Sequence, residues 1–121
     1  MRRVVITGIG VIAPNGNGKE AFWDACVKGV SAAAPITKFD VSKMTSHMAC
    51  EVHGFDPRAF GLNEYEATNL DRHVQFALAS SIQAVGDAGL DIGAIDRDRA
   101  GVFVGSTNAA IETFEGVWER V

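Results

Sequence analysis

Three histidines and two cysteines are the side chains in this sequence that could combine into nucleophilic, acid–base or metal chemistry. His47, Cys50 and His53 form an H-x-x-C-x-x-H spacing, an imidazole and thiolate set of the kind that holds zinc. The same stretch alternates in polarity, with Met48, Cys50 and Val52 on one side and His47, Glu51 and His53 on the other. That alternation predicts a half-buried strand over 47–53. On a strand, 47 and 53 point one way and 50 the other, so one ion cannot be gripped by all three without a break. No metal is expected, and Cys50 is expected as a small core residue. Cys26 falls near the far end of a helix, whereas a reactive thiolate wants a helix N-terminus or cationic neighbours. A buried, inert Cys26 follows. His73 lies near the start of a long helix, on its outer side. No Ser/His/Asp constellation, G-x-S-x-G elbow or Walker loop is present.

A second chemical candidate is Gly8-Ile9-Gly10-Val11-Ile12-Ala13, which fits the G-x-G-x-x-A dinucleotide pattern. In that motif the third position opens a helix whose N-terminus holds the pyrophosphate. Here Pro14, Asn15, Gly16 and Gly18 follow at once, and helix begins only near Lys19. The acidic residue expected about 20 positions on would fall near Pro35, in a loop. The glycines read better as places where a buried strand passes close to its neighbours. Arg2, Arg3, Arg72 and the Arg97/Arg99 pair read as solvated surface.

The elements that must carry these residues follow from periodicity. Residues 3–11 (RVVITGIGV) are β-branched and apolar on both faces, which predicts a buried central strand. A helix is expected from Lys19, with Asn17 as N-cap, Glu20 completing a capping box and Gly29 as the stop. Its apolar stripe is Phe22, Trp23, Cys26 and Val27. Residues 31–46 contain Pro35 and show no period, so they read as loop. Asn63 to Glu66 resembles another helix start. The strongest helix spans about 70–88, with Val74, Leu78, Ile82 and Val85 inward, Ala77, Ser81 and Ala88 as small neighbours, and Gly89 ending it. A polar connection (91–99) leads to a second buried-strand candidate, 100–105. Ile111, Phe114, Val117, Trp118 and Val121 then recur at helical spacing. This last stripe needs a partner surface, so the chain is expected to be an N-terminal piece of something longer or to assemble with another chain.

Composition narrows the function classes. In 121 residues, 47% are hydrophobic and 21% charged, which is ordinary globular usage. Eleven Lys and Arg face fifteen Asp and Glu, a net charge of −4, so no basic surplus exists to neutralise phosphates and nucleic acid is not the expected partner. No apolar run approaches the ~20 residues that span a bilayer, and the start is too short and glycine-broken for a signal peptide. A cytoplasmic protein with no membrane partner, whose cysteines stay thiols, is expected.

Several blocks, in this order, carry a resemblance: Arg3 to Gly16 (RVVITGIGVIAPNG), Phe22-Trp23, Ile36 to Asp40 (ITKFD), Asp71 to Ala77 (DRHVQFA), Ala84 to Leu90 (AVGDAGL) and Gly101 to Ser106 (GVFVGS). The ordered set resembles the N-terminal part of the β-ketoacyl synthases, in particular the condensing enzymes of bacterial type II fatty-acid and aromatic-polyketide systems. The resemblance implies an α/β, thiolase-like fold, a five-layer αβαβα sandwich, of which residues 1–121 form an incomplete N-terminal segment. It also implies the reaction. An acyl chain moves from an acyl carrier protein to an active-site cysteine, and two histidines assist decarboxylation of malonyl-carrier protein, both carried on phosphopantetheine. The carbanion then attacks the thioester.

None of the three catalytic residues of that family falls on a matching position, so no catalytic residue is expected in this chain. No cofactor is implied either. What does carry over is the loop after the 101–105 strand, which in the family borders the acyl pocket. Thr107, Asn108 and Ala109 are its candidate substrate-binding residues. Asn108 stands where many fatty-acid enzymes place a bulky apolar gate, which favours polyketide-type substrates; alternatively it caps the last helix. The implied partners are acyl carrier protein, the remainder of the ketosynthase fold, and a second subunit in a homodimer or in a heterodimer with a chain-length factor. Two other readings stay open: the non-catalytic chain-length factor itself, and the nicotinamide oxidoreductase of the glycine motif.

Overall fold

The structure is a computed structural model that describes residues 3–107 and 110–118. Its centre is a 16-residue helix onto which short elements from the first sixty residues fold. A tight hairpin pairs β1 (Ile12–Ala13) with β2 (Gly16–Asn17), Pro14 and Asn15 making the turn. Helix α1 (Lys19–Val27) follows directly. Its N-cap is Gly18, which has no side chain to bond, while the Asn17 amide donates instead to the His53 carbonyl at 2.9 Å. The expected Asn17/Glu20 capping box is therefore replaced by a tie between the hairpin and residue 53. Gly29 ends α1 as expected. At φ 66° it lets its own N–H reach the Cys26 carbonyl and that of Val30 reach Ala25, satisfying two otherwise orphaned acceptors.

Residues 31–46 are not all loop. Ala33–Pro35 form β3, antiparallel to β4 (Met48–Cys50), with Ala34 opposite Ala49. Pro35 is tolerated because it sits at the end of a two-stranded ladder. Only three residues of the expected 47–53 strand pair, and Met48 and Cys50 are exposed, so the expectation of a buried Cys50 is overturned. Glu51, by contrast, has a side chain only 9% exposed. Its carboxylate accepts from the Thr37 hydroxyl (2.6 Å), the Thr37 N–H (3.2 Å) and the Lys38 N–H (3.3 Å).

Beyond a 3₁₀ turn at Pro57–Phe60, α2 (Glu64–Asn69) starts at Asn63 with a complete capping box to Glu66, as its sequence predicts. Helix α3 (Arg72–Asp87) carries the core. Ala79 is fully buried and packs with Phe55 and Leu62; Ile12, Val52, Phe60, Phe76 and Leu78 surround them. Phe55 stacks on Phe60 at 5.4 Å and meets Phe76 edge-on at 4.9 Å. The Arg72 guanidinium lies 5.0 Å from the Phe55 ring centre and 5.2 Å from that of Phe76.

The expected inner face of α3 is corrected. Gln75 and Ala79 are its buried positions, whereas Val74, Leu78 and Val85 are half-buried and Ile82 is 45% exposed. Large residues drew the sequence reading to one side. The closest approaches run through small ones, because only small residues let another backbone lie on the helix. A Cβ on Gly10 would stand 1.8 Å from the Ser80 carbonyl oxygen, and one on Gly8 2.2 Å from that of Ala84. The reading of these glycines as close-approach positions holds.

Two further expectations fail in one way. Residues 3–11 and 100–105 join no ladder apart from Ile12 and Ala13 beyond the first of them; the sheets among the described residues are the two hairpins. Val4 is 95% exposed and Phe103 97%. A central strand needs neighbours on both edges to pair its backbone, and none is present here. The α1 stripe is likewise uncovered, with Trp23, Cys26 and Val27 exposed and Ala25 the buried residue. Helix α4 (Ile111–Trp118) forms as predicted, its Phe114 and Trp118 facing outward; Val121 lies outside the described residues. No helix among the described residues is long and apolar enough to cross a membrane.

Candidate functional site

The residues singled out for chemistry do not converge. Cys26 and Cys50 are free thiols, and the described polar neighbour of the Cys26 sulfur is the Asn15 amide at 3.8 Å. His47 Nε2 lies 2.9 Å from the Met44 carbonyl, and His53 Nε2 lies 3.6 Å from Glu51. A base within hydrogen-bond reach is one way to activate a cysteine nucleophile, and no histidine–cysteine hydrogen bond occurs among the described residues. Nor does any group of three His, Cys, Asp or Glu there suit a metal ion. His73 is half-buried on α3.

The glycine motif is not a dinucleotide loop. Ala13 lies in the β1–β2 hairpin rather than at a helix start. The open sides of Gly8 and Gly10, where a pyrophosphate would approach, are filled by the backbone of α3. The segment is held by Asp87, whose carboxylate accepts the Ile9 N–H at 3.0 Å and pairs with Lys19. The hydrogen bond from Lys19, then that from Ile9, holds the Asp87 carboxyl below its ordinary range. Beside this pair an apolar groove of about 370 Å³ runs between Ile9, Val11, Phe22 and Trp23. Lys19 and Glu20 complete its lining, which contains no cysteine or histidine.

The remaining candidate is the loop between residues 105 and 110. Thr107 is exposed at the end of the extended 101–106 segment; Asn108 and Ala109 lie outside the described residues. Ala110 takes a left-handed φ of 62° and leads into α4, accepting the Phe114 N–H at 3.0 Å. Sequence reasoning missed one contact of α4 beyond this loop. Asp71 is the N-cap of α3, yet its side chain makes no capping bond. It accepts instead from the Thr113 hydroxyl of α4 at 2.6 Å. The sequence signal was an N-cap aspartate, which reads as a local cap; nothing local announces a partner 42 positions away.

A sequence model of the family described as "Beta-ketoacyl synthase, N-terminal domain" matches residues 1–120. Among curated relatives, the granaticin polyketide putative beta-ketoacyl synthase 1 of Streptomyces violaceoruber is 46% identical over 114 residues, covering 94% of this chain and 27% of the relative. The 3-oxoacyl-[acyl-carrier-protein] synthase 2 of Staphylococcus aureus (strain COL) is 39% identical over the same share of each. A solved structure titled "The ishigamide ketosynthase/chain length factor" superposes with a TM-score of 0.64 at 39% identity, covering 74% of this chain and 22% of that one. The chain spans about a quarter of the length of these relatives.

Proposed function

This chain belongs to the β-ketoacyl synthase family through that family's N-terminal domain, with its thiolase-like fold, and we propose that it serves as the N-terminal segment of a condensing enzyme. The five-layer αβαβα sandwich would be completed by a continuation or by another chain. In it, residues 3–11 and 100–105 become the strands that their composition predicts. The observation that carries this reading is the family match across residues 1–120. The uncovered state of Val4, Ile6, Val102 and Phe103 supports it, since apolar segments of this length find partners in a finished fold.

The proposed reaction is a decarboxylative Claisen condensation of acyl- and malonyl-acyl carrier protein, in polyketide or fatty-acid synthesis. The cysteine and two histidines come from outside residues 1–121. This segment supplies scaffold and, through Thr107, Asn108 and Ala109, a border of the acyl pocket. The proposed partners are acyl carrier protein and a second subunit, and the proposed setting is the cytoplasm. The superposing ketosynthase/chain length factor structure favours a heterodimer, and it also supports a second reading, in which the chain belongs to a chain-length factor.

Incubating the complete protein with acyl- and malonyl-carrier protein tests the reaction. A β-ketoacyl product is expected from the complete protein and none from residues 1–121. A stable acyl adduct on Cys26 or Cys50, lost on Cys26→Ala or Cys50→Ala, would place a nucleophile in this chain and overturn the assignment.

A further inference from the structure

Arg72 reads from sequence as solvated surface, yet the structure places it half-buried at the first position of α3. Its guanidinium lies 5.0 Å from the Phe55 ring centre and 5.2 Å from that of Phe76. Phe55 is itself buried and stacked on Phe60, so the group rests on a fixed aromatic floor. Its Nε is buried and has no hydrogen-bond partner among the described residues. No carboxylate among them pairs with it either. The acids beside it in the chain and on α2 are engaged elsewhere: Asp71 accepts from Thr113, Glu64 pairs with Arg58, and Glu66 completes the α2 capping box. An arginine withdrawn from water normally has an anion, because ring faces offset only part of the hydration that its charge gives up.

We infer that Arg72 is one half of an ion pair whose other half, the carboxylate of an aspartate or glutamate, is supplied by the remainder of the fold. This rests on the reading of residues 1–121 as one segment of a larger protein, which the quarter-length match to the relatives supports. The two rings hold the guanidinium plane in place, so little side-chain freedom is left to lose when a partner docks. With Nε enclosed, the Nη1 and Nη2 edge is left to donate two parallel hydrogen bonds, the geometry that a carboxylate matches. The Asp71 charge one residue away opposes a dianion such as a phosphate ester about twice as strongly as a single carboxylate.

The test compares the complete protein with its Arg72→Met variant, which keeps an apolar stem on the rings and removes the charge. The variant is expected to melt about 2–4 °C lower near pH 7. That gap should narrow as the pH falls towards about 4, because the carboxylate left unpaired in the variant then takes up a proton and its burial ceases to cost. Packing and cation–π contact alone would give a gap that does not change with pH, since arginine stays charged throughout. A constant gap, or none, would overturn the ion pair. Should Arg72→Met fail to fold, Arg72→Gln is read in the same way. An Asp71→Asn background should keep the pH-dependent gap; its loss there would make Asp71 the partner and overturn the inference. Condensation of acyl- and malonyl-carrier protein is assayed on the same preparations. Condensation with a constant gap sinks the ion pair alone, whereas a narrowing gap without condensation sinks the condensing reaction and supports the ion pair.

Discussion

Gly10 and Gly116 show how one residue type does opposite work in this chain. A Cβ at Gly10 would collide with the Ser80 carbonyl, whereas nothing stands within 4 Å of one at Gly116. Gly10→Ala should therefore lower the unfolding free energy by about 1–3 kcal/mol through overpacking. Gly116→Ala, inside α4, should raise helix stability by roughly 0.5–1 kcal/mol. Urea unfolding of both variants checks the opposite signs. Glu51 gives a pH prediction. The hydrogen bond from the Thr37 hydroxyl, chiefly, holds its carboxyl below the ordinary value of 4.5. A carboxylate lowered in the folded state contributes stability that is fully present above its unfolded value and is lost as pH falls through the folded value. Melting temperature should accordingly drop below about pH 4.5, and Glu51→Gln should make that drop shallower. An identical acid slope in the variant would mean that the clamp on the 36–40 segment is not coupled to folding.

At the scale of elements, α3 is organised by a polar residue. Helix α2 is only six residues long, so its last carbonyls lie outside any helical ladder. Gln75, on the buried side of α3, supplies their donor. Gln75→Leu should cost about 1–3 kcal/mol, because partly buried acceptors are left unmatched. Substitution at the exposed Ala77 should stay within about 0.5 kcal/mol. Comparing the two denaturation midpoints decides it. Leu78 touches the core cluster without being enclosed, so Leu78→Ala should fall near the lower end of the ~2–5 kcal/mol usual for such truncations.

The whole molecule exposes 9785 Å², against roughly 6,300 Å² for a folded monomer of this size. Among the exposed apolar groups are the 4–6 and 102–104 segments, Trp23 and Val27 of α1, and Phe114 and Trp118 of α4. Phe103→Asp should thus leave the stability of residues 1–121 within about 0.5 kcal/mol. In the completed fold proposed above the same change should abolish or strongly weaken folding, since it would bury an unpaired charge. Equal, small effects in both settings would mean that this segment never enters a core.

The helices and several of their ends were legible from sequence alone, though not the start of α1, where Gly18 and not Asn17 is the N-cap. Gly29 and Gly89 stop α1 and α3 with the expected left-handed turns, and the Asn63/Glu66 box starts α2, because caps act within a few residues of chain. The ordered blocks from Arg3 to Ser106 also carried the family, which the match over residues 1–120 bears out. Contacts between distant elements were not legible. The register of Gly8 and Gly10 on α3, the carboxylate of Asp71 reaching α4, and the burial of Gln75 in place of Ile82 depend on how elements approach each other. Local periodicity ranks side chains by size and polarity, but close packing is decided by which backbones can touch. The buried strands at 3–11 and 100–105 mark the same boundary from the other side. Their composition records an environment of neighbours on both edges, and only the tertiary structure reveals that the described residues do not provide it.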